Sequence, residues 1–290
     1  MKKTALVILI SGIIIWLTLS FQANAQVGGL SIFPLTLELT ANPGDTLVEK
    51  IKVYNPSSTI LSIKMEVEDI RPTEEGQVII GAEEKTTYSL KKWVKIDPIE
   101  FTLTPKEEKF VNVVIDIPKN AEPGGKYGSI LATATEKEIT QKVGSLILLT
   151  VSGKVIENLT VKEFSAPEFS ESGPIPFTVR FENKGTVQAK PSGSIIITDC
   201  QNKEIDRIAL PQKIVLPGAV REIEVSWDKK QLNGCYTATL VGTYGTVNTP
   251  FTSEKITFWV STPKTKITSE RFIILQFLIF LLRAVNLWPF

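Results

Sequence analysis

The alternation of apolar and polar side chains over residues 99–132 restricts the fold of this chain more than any other feature of its sequence. Apolar residues occupy every second position over residues 99–103 and again over residues 111–117. A period of two residues places one set of side chains on each face of an extended strand. Pro105 begins a polar turn between the two runs, and Pro-Gly-Gly at 123–125 makes a second corner. This stretch therefore predicts three successive β-strands.

Strands of the same kind recur along the rest of the chain, separated by short turn sequences. NPGD at 42–45 and NPSS at 55–58 interrupt apolar runs in the first half, and ENKG at 182–185 and LPGA at 216–219 do so in the second. Asn, Pro and Gly favour turns because of their backbone geometry and local hydrogen bonds. No segment before residue 270 has the period of a helix. The pattern predicts an all-β protein.

The two halves of the chain resemble each other at these turns. VYNPSSTI (53–60) and RFENKGTV (180–187) both leave a strand through an asparagine. Short strands at turn-punctuated intervals are typical of immunoglobulin-like (Ig-like) β-sandwiches. We therefore predict two tandem Ig-like β-sandwich domains, over residues 28–157 and 158–262.

The N-terminal residues have the composition of a secretory signal peptide. Lys2 and Lys3 precede an apolar run at 5–19, and Ala-Asn-Ala at 23–25 matches a cleavage site. An uncleaved membrane anchor is the alternative. The sequence predicts that residues 1–25 are a signal peptide and that the protein is exported to the cell surface or the periplasm.

The C-terminal residues 271–290 contain a short apolar run, FIILQFLIFLL at 272–282. As a helix this run would rise about 16 Å, whereas the hydrocarbon core of a bilayer is about 30 Å thick. Arg283 interrupts any longer span, and the flanking cations precede the run instead of following it. We predict a short apolar helix that serves as a weak or truncated membrane anchor. A buried core helix is the alternative.

The composition argues against several classes of function. The 32 Lys and Arg residues balance 31 Asp and Glu residues, whereas nucleic-acid-binding chains favour a basic face. The absence of His removes the commonest general base and the commonest zinc ligand. The acidic pairs at 74–75, 83–84 and 107–108 fall in predicted turns or loops, which favours solvated surface. The sequence predicts a non-enzymatic protein with no cofactor, no metal site and no nucleic-acid partner.

The chain has two cysteines, Cys200 and Cys235. In an exported protein they could form one disulfide around a loop of roughly 35 residues, which would stabilise the fold by about 3 kcal/mol in the chain-entropy model. Such a bridge requires the two Cα atoms to lie within about 7 Å. Two buried thiols are the alternative, and the sequence leaves the choice open.

Three aromatic residues are candidates for contacting a partner. Trp93 and Tyr127 flank predicted loops, and Trp259 falls out of phase with the apolar positions of its strand. Exposed rings at these positions could stack on a glycan or a peptide. Packing in the core or at a sheet edge is the alternative for Trp93 and Tyr127, and cover by the other domain is the alternative for Trp259. Trp227 and Tyr236, in contrast, fall on predicted core positions.

Two segments of the first half resemble a known family. TLVEKIKVYNPSSTILSIKMEVED (46–69) and IEFTLTPKEEKFVNVVIDIPKNAEPGGKYGSILATA (99–134) are similar to the first domain of the cell-surface WxL-interacting proteins. VGSLILLTVSGKVIENLTVKEF (143–164) resembles the crossover into that family's second Ig-like domain. The resemblance implies an envelope protein that binds peptidoglycan, a surface protein or both, and that is tethered by a C-terminal membrane segment. It assigns no binding residue.

Two hypotheses about function follow. The first is a non-enzymatic, exported cell-envelope protein that binds or scaffolds peptidoglycan, a surface protein or both through its Ig-like domains. The alternative is a periplasmic chaperone of the PapD type, which also has two Ig-like domains and donates a strand to its client subunits. Strand edges left open by a sandwich are compatible with either function.

Overall fold

The computed structural model of the chain describes residues 29–73, 78–81, 87–136, 139–230 and 232–261. The predicted signal peptide and the predicted C-terminal anchor lie outside these ranges. Across the described ranges, no helix combines the length and the apolarity needed to span a bilayer.

The described residues form nineteen strands and one 3₁₀ turn, Lys91–Trp93. The strands assemble into four sheets, which make two tandem Ig-like β-sandwiches. The predicted all-β fold class is confirmed. Strand β3, Thr46–Tyr54, illustrates the reason. Its apolar residues Ile51 and Val53 are buried and the polar residues between them face outward, because a strand turns successive side chains to opposite faces.

The described residues divide into two compact units. Unit 1 takes residues up to 69, 81–121 and 126–149, and unit 2 takes residues 70–80, 122–125 and everything from 150 onward. The main division falls near residue 150, slightly earlier than the boundary predicted at 157/158. The residues just after Leu149 already bond to unit 2, since Gln188 Nε2 donates a hydrogen bond to Thr150 Oγ1 over 3.2 Å.

The ten strands of the first half form two sheets. The first sheet has the order β1-β3-β8-β6, and the second has the order β2-β10-β9-β4-β5 with β7 beside β4. The strands are β1 (Ser31–Phe33), β2 (Thr36–Ala41), β3 (Thr46–Tyr54), β4 (Leu61–Pro72), β5 (Val78–Ile80), β6 (Val94–Asp97), β7 (Glu100–Leu103), β8 (Glu108–Asp116), β9 (Gly124–Glu136) and β10 (Ile139–Val151).

The nine strands of the second half form the other two sheets. One has the order β11-β13-β16, and the other has the order β12-β19-β17-β14-β15 with β18 beside β17. The strands are β11 (Leu159–Ser165), β12 (Phe169–Ser170), β13 (Ile175–Asn183), β14 (Ser192–Asp199), β15 (Glu204–Ala209), β16 (Val220–Trp227), β17 (Asn233–Tyr244), β18 (Thr249–Thr252) and β19 (Ile256–Ser261).

Two segments of the first half change sheets at a proline. β1 pairs with β3 in the first sheet, and β2, which begins after Pro34, belongs to the second sheet. β6 pairs with β8, and β7, which begins after Pro98, pairs with β4. Proline has no N–H to donate to a ladder, so pairing with the original neighbour ends there. The two outer strands of the first sheet, β1 and β6, are therefore short.

An aromatic cluster fills the core of the second half. Phe177, Trp227, Tyr236 and Phe258 have ring centroids 5.3 to 6.3 Å apart, mostly edge to face. Trp227 also donates a hydrogen bond from Nε1 to Asp206 Oδ2 over 2.9 Å, so its polar group is satisfied inside the protein. The predicted core positions of Trp227 and Tyr236 agree with this arrangement.

The repeated asparagines hold equivalent corners in the two halves. Asn55 Nδ2 donates hydrogen bonds to the carbonyl oxygens of Thr59, at 2.8 Å, and Leu103, at 3.1 Å. Asn183 Nδ2 donates to the carbonyl oxygens of Val187 and Val215, both at 2.8 Å. Each amide therefore joins the carbonyl four residues ahead to a carbonyl that is distant along the chain. Both side chains are buried, and the two corners give a common origin for comparing the halves.

Candidate functional site

The asparagine corners identify equivalent positions on the two sandwiches. Lys52 lies three residues before Asn55, and Arg180 lies three residues before Asn183. Lys52 lies on β3, between β1 and β8, and Arg180 lies on β13, between β11 and β16. Both side chains face outward. Residues directly opposite one another on antiparallel strands share one face of the sheet. The cross-strand neighbours of Lys52 and Arg180 can therefore be compared directly.

On the first sheet, the neighbours of Lys52 are two aromatic rings. The β1–β3 register places Phe33 opposite Lys52, and the β3–β8 register places Phe110 opposite Lys52 on the other side. We call Phe33, Lys52 and Phe110 the aromatic row. Lys52 Nζ lies 5.7 Å from the centroid of the Phe33 ring, within the range of a cation–π contact. It also lies 3.0 Å from Glu108 Oε2.

The aromatic row is open to solvent. Phe33 is 48% exposed and Phe110 is 56% exposed. On the same face, Val48 is 64% exposed and stands opposite Val114 in the β3–β8 register. Large exposed apolar side chains that fall together on one sheet face are typical of interaction surfaces, whereas single exposed ones are ordinary.

Charged groups border the aromatic row at the far end of β8. Lys95 Nζ lies 2.8 Å from Asp116 Oδ2, and Thr46 Oγ1 donates to Asp116 Oδ1 over 3.0 Å. These two hydrogen bonds hold the pKa of Asp116 below its usual value, the bond from Lys95 contributing most. The carboxylate therefore stays ionised and paired at neutral pH, and it gives the apolar surface a polar border.

On the second half, the neighbours of Arg180 are two carboxylates. The registers place Glu163 of β11 and Glu222 of β16 on either side of Arg180. We call Glu163, Arg180 and Glu222 the ionic row. Arg180 Nη1 lies 3.4 Å from Glu163 Oε2, and Arg180 Nε lies 3.8 Å from Glu222 Oε2. The cation is thus neutralised by its own neighbours.

The ionic row continues into a second set of charges. Glu182 lies 3.1 Å from Lys184 and 3.9 Å from Lys162. The hydrogen bond from Lys184 lowers the pKa of Glu182 below its usual value, and the charges of Lys184 and Lys162 act in the same direction. This face of the second half is therefore a solvated, internally paired surface.

The predicted partner residues Trp93, Tyr127 and Trp259 occupy three different environments. Tyr127 is only 1% exposed, so it packs in the core, which is the alternative that the sequence left open for this residue. Its N–H donates to Tyr88 O over 2.7 Å, and the two tyrosine rings lie 5.9 Å apart, because a neighbouring loop covers it. Trp93 is half-buried, with Lys126 Nζ 5.8 Å from its ring centroid. The structure does not bring the three rings together on one surface.

Trp259 is exposed and stands beside a second exposed ring. β12 and β19 run parallel, with Phe169 opposite Trp259, and the two side chains are 58% and 57% exposed. On the other side, Trp259 stands opposite Cys235, which forms the disulfide with Cys200, the two Cα atoms being 5.6 Å apart. The Phe169–Trp259 pair is thus a second, smaller aromatic surface in unit 2.

Phe33 and Phe110 were not among the residues singled out from the sequence. Phe110 precedes the buried set that begins at Val111, so the same alternation that placed Val111 inward places Phe110 outward. Phe33 stands next to Pro34, where the period of its strand is interrupted. Both are aromatic residues that fall out of phase with the buried positions of their strands. The same signal singled out Trp259, and it could have identified Phe33 and Phe110.

Within the described residues, no group of three or more His, Cys, Asp or Glu side chains is placed to hold a metal ion. Glu108, beside the aromatic row, and the two carboxylates of the ionic row each have a cationic partner on the surface. What the aromatic row can do chemically is bury apolar area against a partner.

Comparison with known protein families and with characterised proteins finds no match. Solved structures with a similar arrangement include several chaperones. The class 5 fimbriae chaperone CfaA is 14% identical, with 79% of this chain and 99% of that chain covered and a TM-score of 0.43. The Pseudomonas aeruginosa CupB2 chaperone is 8% identical, with 80% and 100% covered and a TM-score of 0.40. The periplasmic chaperone SfaE is 14% identical, with 80% and 100% covered and a TM-score of 0.37. These likenesses are distant.

Proposed function

We propose that this chain is an exported, non-catalytic binding protein that engages a protein partner through the outer face of its first sheet. The aromatic row supports the proposal. At the equivalent place on the second half, the cation lies between two carboxylates that balance its charge. On the first half the same place carries two exposed phenylalanines, whose apolar area only a bound partner would remove from water.

Aromatic residues are effective anchors for such a contact. They are enriched at the centres of protein interfaces, where a few residues supply most of the binding energy. Phe33 and Phe110 are separated by the alkyl chain of Lys52, which itself adds apolar contact area. The paired charges at Glu108 and Asp116 would then form part of the polar rim. Peptidoglycan binding and membrane attachment, which the family resemblance implies, remain predictions.

The test is capture of a partner by the full chain and its variants. Tagged full chain is incubated with a cell-envelope extract of the source organism, and captured proteins are identified by mass spectrometry. We expect one protein to be captured by the unaltered chain and by Phe169→Ala, the control that removes an exposed ring from unit 2. The double variant Phe33→Ala/Phe110→Ala should bind the purified partner at least about tenfold more weakly. Equal binding by the double variant would exclude this face.

A periplasmic chaperone of the PapD type is the second candidate function. Strand β10 favours it, because its Ile139–Val151 span is far longer than its neighbour β2, Thr36–Ala41. Part of the β10 edge therefore has no strand of comparable length beside it. Thr140 and Lys142 are exposed in the first part of β10, whereas Ile147 and Leu149 in its second part are buried. A strand donor also needs exposed apolar side chains along that edge. The four residues just named do not provide them, which weakens this second candidate.

The two functions predict different complexes. A chaperone would co-purify with one unfolded client subunit and release it when the client completes its own fold. A surface-binding protein would bind a partner that is already folded. Circular dichroism of the separated partner distinguishes the two cases. A partner that is unfolded alone, and whose capture survives Phe33→Ala/Phe110→Ala, would favour the chaperone.

A further inference from the structure

The hydrogen-bond register of β8 shows which of its backbone groups face each neighbour. In an antiparallel pair, alternate residues direct their N–H and C=O groups to opposite sides. Asn55 N donates to Glu107 O over 2.9 Å, so the odd-numbered residues that follow in β8 bond to β3. The even-numbered residues, including Glu108 and Phe110, direct their N–H and C=O groups away from β3, toward β6.

Strand β6 covers only one end of that side. Its register places Lys95 opposite Val114 and Asp97 opposite Asn112. Beyond Asp97 the chain turns away, and Ile99 O accepts a hydrogen bond from Met65 N over 2.7 Å in the second sheet. Glu108 and Phe110 therefore have no strand partner on the β6 side among the described residues. These open positions continue the line of β6.

The equivalent edge of the second half is protected in a different way. β16 is the outermost strand of its sheet, and its positions that match Glu108 and Phe110 carry Val220 and the charged Glu222. Charged side chains on an open edge discourage another strand from pairing with it. The open part of β8 instead carries the exposed ring of Phe110, and the Glu108 carboxylate beside it is paired with Lys52. This edge lacks a comparable protection.

We infer that an extended segment of the partner protein binds as an added strand beside β8, opposite Glu108 and Phe110, and continues the line of β6. Two N–H and two C=O groups of β8 become available to that segment. One of its outward side chains would pack against Phe110. The inference rests on the proposed function and specifies how the partner is held, while Lys52 and Phe33, farther from these open positions, would contact the rest of the partner.

The probe for this inference is a phage-displayed library of random linear twelve-residue peptides, selected on the full chain. We expect the enriched peptides to alternate apolar and polar residues. With a saturating synthetic copy of one such peptide, exchange of the Phe110 amide with deuterated solvent should slow at least about tenfold. The amide of Glu222, the equivalent position on β16, should be unaffected and serves as the control.

Two variants separate backbone pairing from side-chain contact. Phe110→Ala removes the ring but keeps the N–H, whereas Phe110→Pro removes both. The proline should weaken peptide binding at least about tenfold beyond the alanine. If the proline variant does not fold, amide exchange in the unaltered chain remains decisive. An unchanged Phe110 exchange rate, a library without binders, or a peptide-free dimer that protects the Phe110 amide would each overturn the inference.

These outcomes are distinct from failure of the proposed function. Loss of partner capture in Phe33→Ala/Phe110→Ala without Phe110 amide protection would keep the binding face and reject the added strand. Protection by peptide together with undiminished partner capture in the double variant would do the opposite.

Discussion

The aromatic row and the ionic row occupy the same place on two sandwiches and differ only in their side chains. Lys52 and Arg180 are both central cations, each with one neighbour on either side across the sheet. In unit 2 the neighbours are carboxylates, so the charges within the row are paired. In unit 1 they are phenylalanines that are 48% and 56% exposed. The fold provides the same position in both units. The side chains decide whether that position is an internally paired charged surface or an exposed apolar surface that can bind a partner.

The asparagine corners show the opposite relationship. Asn55 and Asn183 make matching hydrogen bonds, including one from the amide N–H to the carbonyl four residues ahead. Their oxygens accept from the backbone N–H two residues ahead, at 3.0 Å in Ser57 and 2.9 Å in Gly185. These groups are part of the scaffold of both sandwiches. The residues that hold the corners are therefore the same in the two units, whereas the exposed side chains of the aromatic row and the ionic row differ.

The largest effect should come from removing a corner asparagine. Asn55→Ala or Asn183→Ala leaves several buried carbonyls without a donor, and each unsatisfied buried group costs about 1–3 kcal/mol. We expect a loss of about 3 kcal/mol or more in the free energy of unfolding for each variant, measured by urea denaturation. The exposed Asn158→Ala is the control and should change stability by less than about 0.5 kcal/mol. Very unequal losses for Asn55 and Asn183 would show that the corners are not equivalent.

The disulfide should distinguish the two units, because the cysteines lie only in unit 2. Replacing both, as Cys200→Ser/Cys235→Ser, releases a loop of 35 residues and should destabilise unit 2 by about 3 kcal/mol in the chain-entropy model. Hydrogen exchange resolved by peptide should report faster opening of β14 and β17. Exchange in β3 and β8 of unit 1 provides the internal control. Equally faster hydrogen exchange in both units would show that the disulfide stabilises unit 1 as much as unit 2, which would contradict this prediction.

Giving the aromatic row the carboxylates of the ionic row tests whether the side chains alone make the difference between the two surfaces. Phe33→Glu/Phe110→Glu gives the first sheet the side-chain pattern of Glu163–Arg180–Glu222. Stability should change by less than about 1 kcal/mol, because exposed ion pairs contribute little and exposed rings lose little on removal. Binding of the captured partner should fall below detection in a titration calorimeter. Partner binding that persists in this folded variant would show that the aromatic row is not the contact surface.

The smallest effect should be a loss of stability in acid, which arises at the hydrogen bond between Trp227 and Asp206. The hydrogen bond from Trp227 Nε1, aided by the Arg207 N–H, lowers the pKa of Asp206 from its ordinary value of 3.8. Since the unfolded chain binds the proton more readily, this stabilisation is complete above pH 3.8 and is lost as pH falls through the lower folded pKa.

The matching variant is Asp206→Asn, which keeps an oxygen acceptor but cannot titrate. Its stability relative to the unaltered chain should be lower at pH 7, and the difference should shrink as the solution is acidified below about pH 4. Thermal unfolding across this range measures it. A difference that stays constant with pH would mean that the charge of Asp206 does not contribute to holding Trp227.

The sequence determined the local part of this structure. Alternation of apolar residues predicted the strands, Asn, Pro and Gly predicted the turns, and the echo between residues 53–60 and 180–187 marked the two corners. The phase of Trp259 placed it opposite the apolar set of its strand, and its side chain is 57% exposed. Each of these depends on neighbours within a few residues along the chain, which a sequence shows directly.

Only the tertiary structure decided which strands are neighbours. The sequence left open whether Tyr127 is exposed beside its glycine corner, and in the structure a loop from earlier in the chain covers it. The Asn55 amide meets the carbonyl of Leu103, 48 residues away. Phe33 and Phe110 meet across Lys52 only because β1 and β8 both pair with β3. The period of a strand fixes the face that a side chain takes, but the register between distant strands, set by packing of the whole sheet, fixes what it stands beside.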